Sequence, residues 1–155
     1  MADDAKLYNE QDRQIMGRFN TLSDMSCNRI ELIKDLALGL NCKTIGLAHC
    51  VMFGRESKVI QEYLSNEFSV HTVNCKHGRL REGELLKGGS TRVICNPAGQ
   101  AKFLNSKRCD LNISIGLCVG HDMIFNKHSN APVTTIFTKD FTNDNNPAIA
   151  VDELR

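Results

Sequence analysis

Tryptophan is absent, and aromatic residues make up only 6% of the 155-residue chain. An aliphatic core is therefore expected. Long apolar runs are lacking too: nothing approaches the roughly 20 residues that a bilayer-spanning helix needs. Charge of one sign is not in excess, since 19 basic residues face 18 acidic ones for a net charge of +1. Non-specific binding to nucleic acid or to an anionic membrane rests on a basic excess or stripe, so neither is an expected partner. The segment Met1-Ala2-Asp3-Asp4-Ala5-Lys6 has neither the basic start nor the apolar middle of a secretory signal. The expected location is the cytoplasm, where thiols stay reduced. Internal repeats and low-complexity linkers are also missing.

What the chain does have is cysteine. There are seven, Cys27, Cys42, Cys50, Cys75, Cys95, Cys109 and Cys118. Their odd number and the reducing compartment make a disulfide framework a poor explanation. The ordinary alternative is that a cysteine serves as a small buried hydrophobe.

Their placement depends on the elements around them. A helix is expected over 7–20. Asn28, with Glu31 three residues on, has the form of a capping box, and Ile30, Ile33, Ala37 and Leu40 recur at helical spacing after it until Gly39 and Asn41. Short apolar runs bounded by turn residues predict strands over 43–50, 68–75, 111–117 and 132–138. Further helices are expected over 54–66, with Val59, Ile60, Tyr63 and Leu64 inward, and over 120–129. Another begins at Asn96-Pro97, where asparagine is a good cap and proline fits the first turn, with Ala98, Ala101 and Leu104 inward. Residues 76–90 are charged and glycine-rich and read as a loop or broken helix. Lys87-Gly88-Gly89-Ser90-Thr91 lacks the full phosphate-loop pattern and reads as loop. After Asp140 the chain is polar, with a turn at Asn146-Pro147.

Alternating helix and strand implies an α/β fold: a single Rossmann-like domain with a mostly parallel sheet and helices on both faces. Residues 1–25 are expected to form a helical arm and 26–155 a cysteine-rich α/β metal-binding domain. In a parallel sheet all strand C-termini lie on one edge, and ligands bind outside it. Cys50, Cys75 and Cys118 end the first three strands. Cys95 precedes a helix N-terminus, the equivalent position. These four, spaced 25, 20 and 23 residues apart, are the candidate metal and cofactor ligands, although no Cys-x-x-Cys pair of the zinc-finger or ferredoxin kind is present. His121, three residues after Cys118, is a candidate ligand or proton donor, and Asp122 a candidate to orient it, with capping of the short helix as the plain alternative. His49 should point away from Cys50 by strand alternation. His71, His77 and His128 read as surface residues, and Lys127, Lys139 and Asp140 as solvated groups near the same edge.

Three blocks carry a resemblance. They are Cys95-Asn96-Pro97-Ala98-Gly99-Gln100-Ala101; Asp110-Leu111-Asn112 with Gly116-Leu117-Cys118-Val119-Gly120-His121-Asp122; and Ala131-Pro132-Val133-Thr134 with Lys139-Asp140. Over roughly 28–150 the chain resembles an uncharacterised prokaryotic family of small cysteine-rich proteins, often labelled metal-binding domains of unknown function. The resemblance implies a metal on cysteines at positions 50, 75, 95 and 118. Cys109 stands where relatives usually have threonine, and the chain departs from the pattern at Phe141 and Asn145.

The leading expectation is an iron–sulfur cluster, such as a 4Fe-4S cluster, because thiolates suit such clusters and a crevice protects them. Three cysteine ligands would leave one iron open to a small sulfur-containing substrate, as in a desulfurase or sulfur-transfer enzyme. Four would give a closed cluster for electron transfer with a redox partner, or for sensing. One alternative is a zinc protein ligated by four cysteines, or by three cysteines and a histidine. The other is a metal-free thiol or persulfide enzyme.

Overall fold

A computed structural model describes residues 3–21 and 27–154. They fall into two compact units, divided between Cys42 and Lys43. The boundary expected between residues 25 and 26 lies outside the described residues.

In the first unit, a 3-10 turn over Asp4–Leu7 precedes helix α1 (Glu10–Asn20). The helix starts later than its apolar pattern suggests because Asn9 caps it. The Asp12 amide donates to Asn9 Oδ1 at 2.9 Å, and the Asn9 amide donates to the Asp12 carboxylate at 2.9 Å. Helix α2 (Arg29–Gly39) begins at the expected capping box. There the Asn28 side chain accepts from the Ile30 and Glu31 amides, and Glu31 accepts from the Asn28 amide. Two orphan donors are satisfied reciprocally at each start. Ile33 and Ala37 are the buried residues of α2.

The second unit holds one four-stranded sheet. Its strands are β1 (Thr44–His49), β2 (Ser69–Asn74), β3 (Leu111–Ile115) and β4 (Val133–Phe137). They run in the order β2-β1-β3-β4, and every pairing is parallel. All five residues of β3 and the inner four of β1 are buried, as expected of central strands covered on both faces. The helices are α3 (Gly54–Leu64), α4 (Glu82–Leu85), α5 (Pro97–Ser106), α6 (His121–His128) and α7 (Ala148–Glu153). Right-handed crossovers place α3 on one face and α5 with α6 on the other, the Rossmann-like arrangement. Ala48, Val73, Ala101, Leu104, Leu117 and Phe125 form a buried cluster on the α5–α6 side. The core is mostly aliphatic, as expected, although the structure also buries Phe53, Phe68 and Phe125. Full burial of a side chain such as Leu104 or Phe125 stabilises the fold by about 1.5–3 kcal/mol. Gly46 permits this packing, since a Cβ there would lie 2.1 Å from Asn112 Oδ1 and 2.8 Å from Leu104.

Three local expectations need correction. Helix α3 turns Ser57, Ile60 and Leu64 inward, while Val59 and Tyr63 are 58% and 38% exposed. Two apolar stripes compete on this helix, and the buried one continues the line of Phe53, itself buried just before the helix. The inward face of α5 is Pro97, Gln100, Ala101 and Leu104, with Ala98 only half-buried. The polar C-terminal stretch contains α7, whose short Ala-Ile-Ala-Val run follows Pro147. No helix among the described residues is long and apolar enough to cross a membrane.

Candidate functional site

The C-terminal edge of the sheet is tied together through its backbone. The Cys50 amide donates to Ile115 O at 3.1 Å, joining the exits of β1 and β3. The Asn96 amide donates to Cys75 O at 2.8 Å and brings the residue before it, Cys95, to the exit of β2. Gly116 N–H to Phe137 O at 2.8 Å and Lys139 N–H to Leu117 O at 3.1 Å join the exits of β3 and β4. Gln100 adds a side-chain clamp. It is fully buried, and its Nε2 donates to His49 O at 3.2 Å and to Val73 O at 3.0 Å, spanning β1 and β2. Asn96 caps α5 by accepting from the Gly99 amide at 2.8 Å. At Gly116 the chain turns sharply with φ of +59°, beneath the Phe53 ring.

These ties deliver four cysteines to one edge. Cys50 and Cys75 are 4% and 2% exposed, while Cys95 and Cys118 are half-buried. The Cys75 and Cys95 sulfurs are 3.6 Å apart, and the Val51 amide donates to Cys75 Sγ at 3.4 Å. Burial pushes the Cys75 thiol up to about 11, with the Cys95 bond and the nearby Cys95 and Cys50 charges adding to it against the Val51 amide. The other two thiols share a cation. Lys139 Nζ donates to Cys50 Sγ at 2.8 Å and also reaches the Cys118 thiol. Burial pulls the Lys139 ammonium down. The hydrogen bonds and charges of Cys50 and Cys118 outweigh this, and the net shift is upward. The arrangement is thus two linked pairs, Cys75 with Cys95 and Cys50 with Cys118 about Lys139. Among the described residues, no three His, Cys, Asp or Glu side chains gather closely enough to hold a single ion.

The remaining candidates occupy different settings. His121 opens α6 and, with Cys95, lines a cavity of about 470 Å³. Asp122 accepts from the Met123 amide at 2.7 Å, a role at the helix start. His49 Nδ1 meets the Cys50 carbonyl at 2.9 Å, and burial lowers its pKa against that bond. His71 is half-buried, while His77 and His128 are exposed. Cys109 packs against the core cluster, and burial with the Asp110 charge pushes its thiol up to about 11. Cys27 and Cys42 belong to the first unit. The residue that reading the sequence undervalued is Lys139. It lies two residues past β4, a place equivalent to those of the cysteines past their own strands.

A family model described as "Protein of unknown function (DUF1847)" matches residues 2–136. The chain belongs to that family. This DUF1847 chain is also 37% identical over 131 residues to "Uncharacterized protein MJ0455" of Methanocaldococcus jannaschii, covering 82% of this chain and 68% of the relative. No solved structure matches it. The family's description assigns no reaction, and function rests on the chemistry of the cysteine edge.

Proposed function

We propose that Cys50, Cys75, Cys95 and Cys118 bind a metal centre as thiolates, an iron–sulfur cluster being the reading supported best. The observation that carries it is the convergence of all four on one sheet edge with Lys139 between two of them. A [4Fe-4S] cluster in its 2+ state on four thiolates, like one zinc ion on four thiolates, carries a net charge of 2−. A cation held at the site offsets part of that charge in a low-dielectric setting. The spread of the thiols favours a polynuclear cluster over a single ion. Tetrahedral zinc with 2.3 Å bonds needs four sulfurs about 3.8 Å apart around one point; Cys75 and Cys95 stand 3.6 Å apart, but among the described residues no three ligand side chains gather around one point. When bound, the cluster supplies electron transfer, or an open iron that takes a sulfur ligand.

The test is purification without oxygen, followed by the visible spectrum and assays of iron, zinc and acid-labile sulfide. The expected result is broad absorption near roughly 400 nm with iron and sulfide present. Serine in place of Cys75, Cys95 or Cys118 should abolish it, while Cys109→Ser should leave it intact. Full metal content in all three serine variants would overturn the site.

One observation favours a second reading. The Cys75–Cys95 contact joins a buried thiol to a more accessible one, as a dithiol redox pair requires. In that case the protein is colourless and metal-free. The two thiols lose two electrons and two protons to a small disulfide, which leaves as two thiols, and a Cys75–Cys95 disulfide remains. Tryptic mapping of the oxidised protein identifies it.

A further inference from the structure

One wall of the cavity at His121 is built by a flap. The segment from Arg81 to Val93 folds back on itself and is closed by an antiparallel bridge between those two residues. The Glu82 carboxylate fixes its shape, accepting from the Ser90 amide and hydroxyl at 3.1 and 2.8 Å and from Arg92 Nη2 at 2.5 Å. The flap leaves Leu85 and Leu86 62% and 53% exposed, and Ile124 on α6 is 41% exposed. These three, with Ile94 and Pro97, line a cavity of about 470 Å³. That volume lies in the range of small-molecule sites. The apolar part of the lining is aliphatic, and among the described residues it holds no phenylalanine or tyrosine to stack on a flat ring.

The polar groups of the lining are unevenly matched. Glu82 and Arg92 neutralise each other, and both Ser90 donors also go to Glu82. Lys76 differs. It lines the cavity half-buried, its Nζ donates to Val93 O at 3.1 Å, and it makes no ion pair among the described residues. The carbonyl satisfies one of three N–H donors and none of the charge. The cysteine edge does not supply the missing anion. The cation its thiols share is Lys139, and the charges that act on Cys75 are those of Cys95 and Cys50. The His121 ring also lines the cavity and has no hydrogen-bond partner among the described residues. An aliphatic cavity with one unpaired ammonium and one unpaired imidazole suits a monoanion with an apolar body. A phosphate calls for an arginine fork or a row of amides, and here Arg92 and the Ser90 amide are already engaged by Glu82.

We infer that this cavity binds a short-chain aliphatic carboxylate, its carboxylate held by Lys76 Nζ and the His121 ring and its chain between Leu85, Leu86 and Ile124. None of the cysteines takes part in this recognition, and the same binding is expected with a metal on the edge or without one.

The test is a titration of the full-length protein, purified without oxygen, with sodium hexanoate at neutral pH, followed through 13C-labelled isoleucine and leucine methyls. The methyls of Leu85, Leu86 and Ile124 should shift saturably. Half-saturation should come at a concentration at least about tenfold lower than with 1-hexanol, which lacks the charge, hexylamine, which reverses it, or acetate, which lacks the chain. Lys76→Met keeps an apolar stem and removes the ammonium. It should weaken hexanoate about tenfold or more and leave 1-hexanol binding unchanged. Leu86→Glu should weaken both ligands, and Val59→Glu, on the exposed surface of α3, neither. Absence of saturation, binding of 1-hexanol or hexyl phosphate as tight as that of hexanoate, or unchanged hexanoate affinity in Lys76→Met would overturn the inference. Loss of both ligands in Lys76→Met would overturn it too, by making Lys76 a tie between the flap and the sheet rather than the partner of an anion.

Discussion

Replacing Gly116 by alanine tests how the β3 exit is held in place. Gly116 has φ of +59°, and a Cβ there would lie 2.1 and 2.2 Å from two carbons of the Phe53 ring. Two costs add. The left-handed conformation costs an alanine about 1–2 kcal/mol. Displacing a packed ring costs about 1–3 kcal/mol, and Phe53 has little freedom to move because it packs edge-on against Phe137 at 4.9 Å. The expected loss for Gly116→Ala is thus about 2–5 kcal/mol, or a fall in Tm of about 4–20 °C for a chain of this size. Gly120 is the internal control. It has φ of +82° and nothing within 4 Å of its Cβ position, so Gly120→Ala should show a conformational cost without a steric one. Urea unfolding followed by circular dichroism, under reductant, measures both. The gap between the variants is the Phe53 contact, and it should shrink in a Phe53→Leu background. Equal losses at the two glycines would refute the steric account, and so would a gap unchanged by Phe53→Leu.

Glu82 is held well below its ordinary value of 4.5, at about 2, by the Ser90 amide first, then the Ser90 hydroxyl and Arg92. A depressed carboxyl stabilises the closed flap above the unfolded pKa, and that stability is lost as pH falls from 4.5 through about 2. A 13C titration of the Glu82 carboxyl should show a midpoint well under 4.5, and an ordinary midpoint would mean the flap is open in solution. Asp110→Ala should cost about 1–2 kcal/mol by equilibrium unfolding, because its carboxylate accepts from the Lys43 and Thr44 amides at 2.7 and 2.9 Å at the start of β1. An unchanged midpoint would show that water replaces it there. Gln100→Leu removes two buried bonds of about 1 kcal/mol each. It also removes Oε1, a buried acceptor with no partner among the described residues, so the expected net loss is about 1 kcal/mol. A variant more stable than the parent would show that Gln100 does not clamp β1 to β2.

The fold was legible because two periods alternate cleanly along the chain. Runs such as Ile45-Gly46-Leu47-Ala48 and Leu111-Asn112-Ile113-Ser114-Ile115 are short and bounded by turns, and both are buried central strands. The capping box at Asn28 and the Asn96-Pro97 start could be read because a cap is a local device, decided within four residues. The errors fall where local pattern underdetermines packing. Val59 and Tyr63 share α3 with Ile60 and Leu64, and only the sheet decides which stripe turns inward. The strands also end one or two residues earlier than their apolar runs. Cys50 and Cys75 are buried, so hydropathy extends the strands through them, yet their backbones have already left the ladder to form the edge.

Lys139 shows how the same logic reaches further than cysteine. The four thiols were picked out by topology, since residues just past parallel strands share an edge, and that rule is blind to residue type. Applied to β4 it selects Lys139, 89 residues from its partner Cys50, as readily as it selects Cys118 after β3. The sequence places Lys139 near that edge but reads it as a solvated group, because lysines past strand ends are ordinarily solvated, whereas a cysteine there is unusual. Physically, the lysine is needed: two neighbouring thiols cannot both ionise in a buried crevice without a cation beside them. Lys139→Met should therefore leave the fold in place, because its backbone bond to Leu117 O persists, and weaken whatever the edge binds as thiolates. The check is metal content and cysteine alkylation rate at constant pH. A Lys139→Met protein with unchanged metal and unchanged Cys50 reactivity would show that the ammonium is a bystander, and that the thiol pairs alone govern the edge.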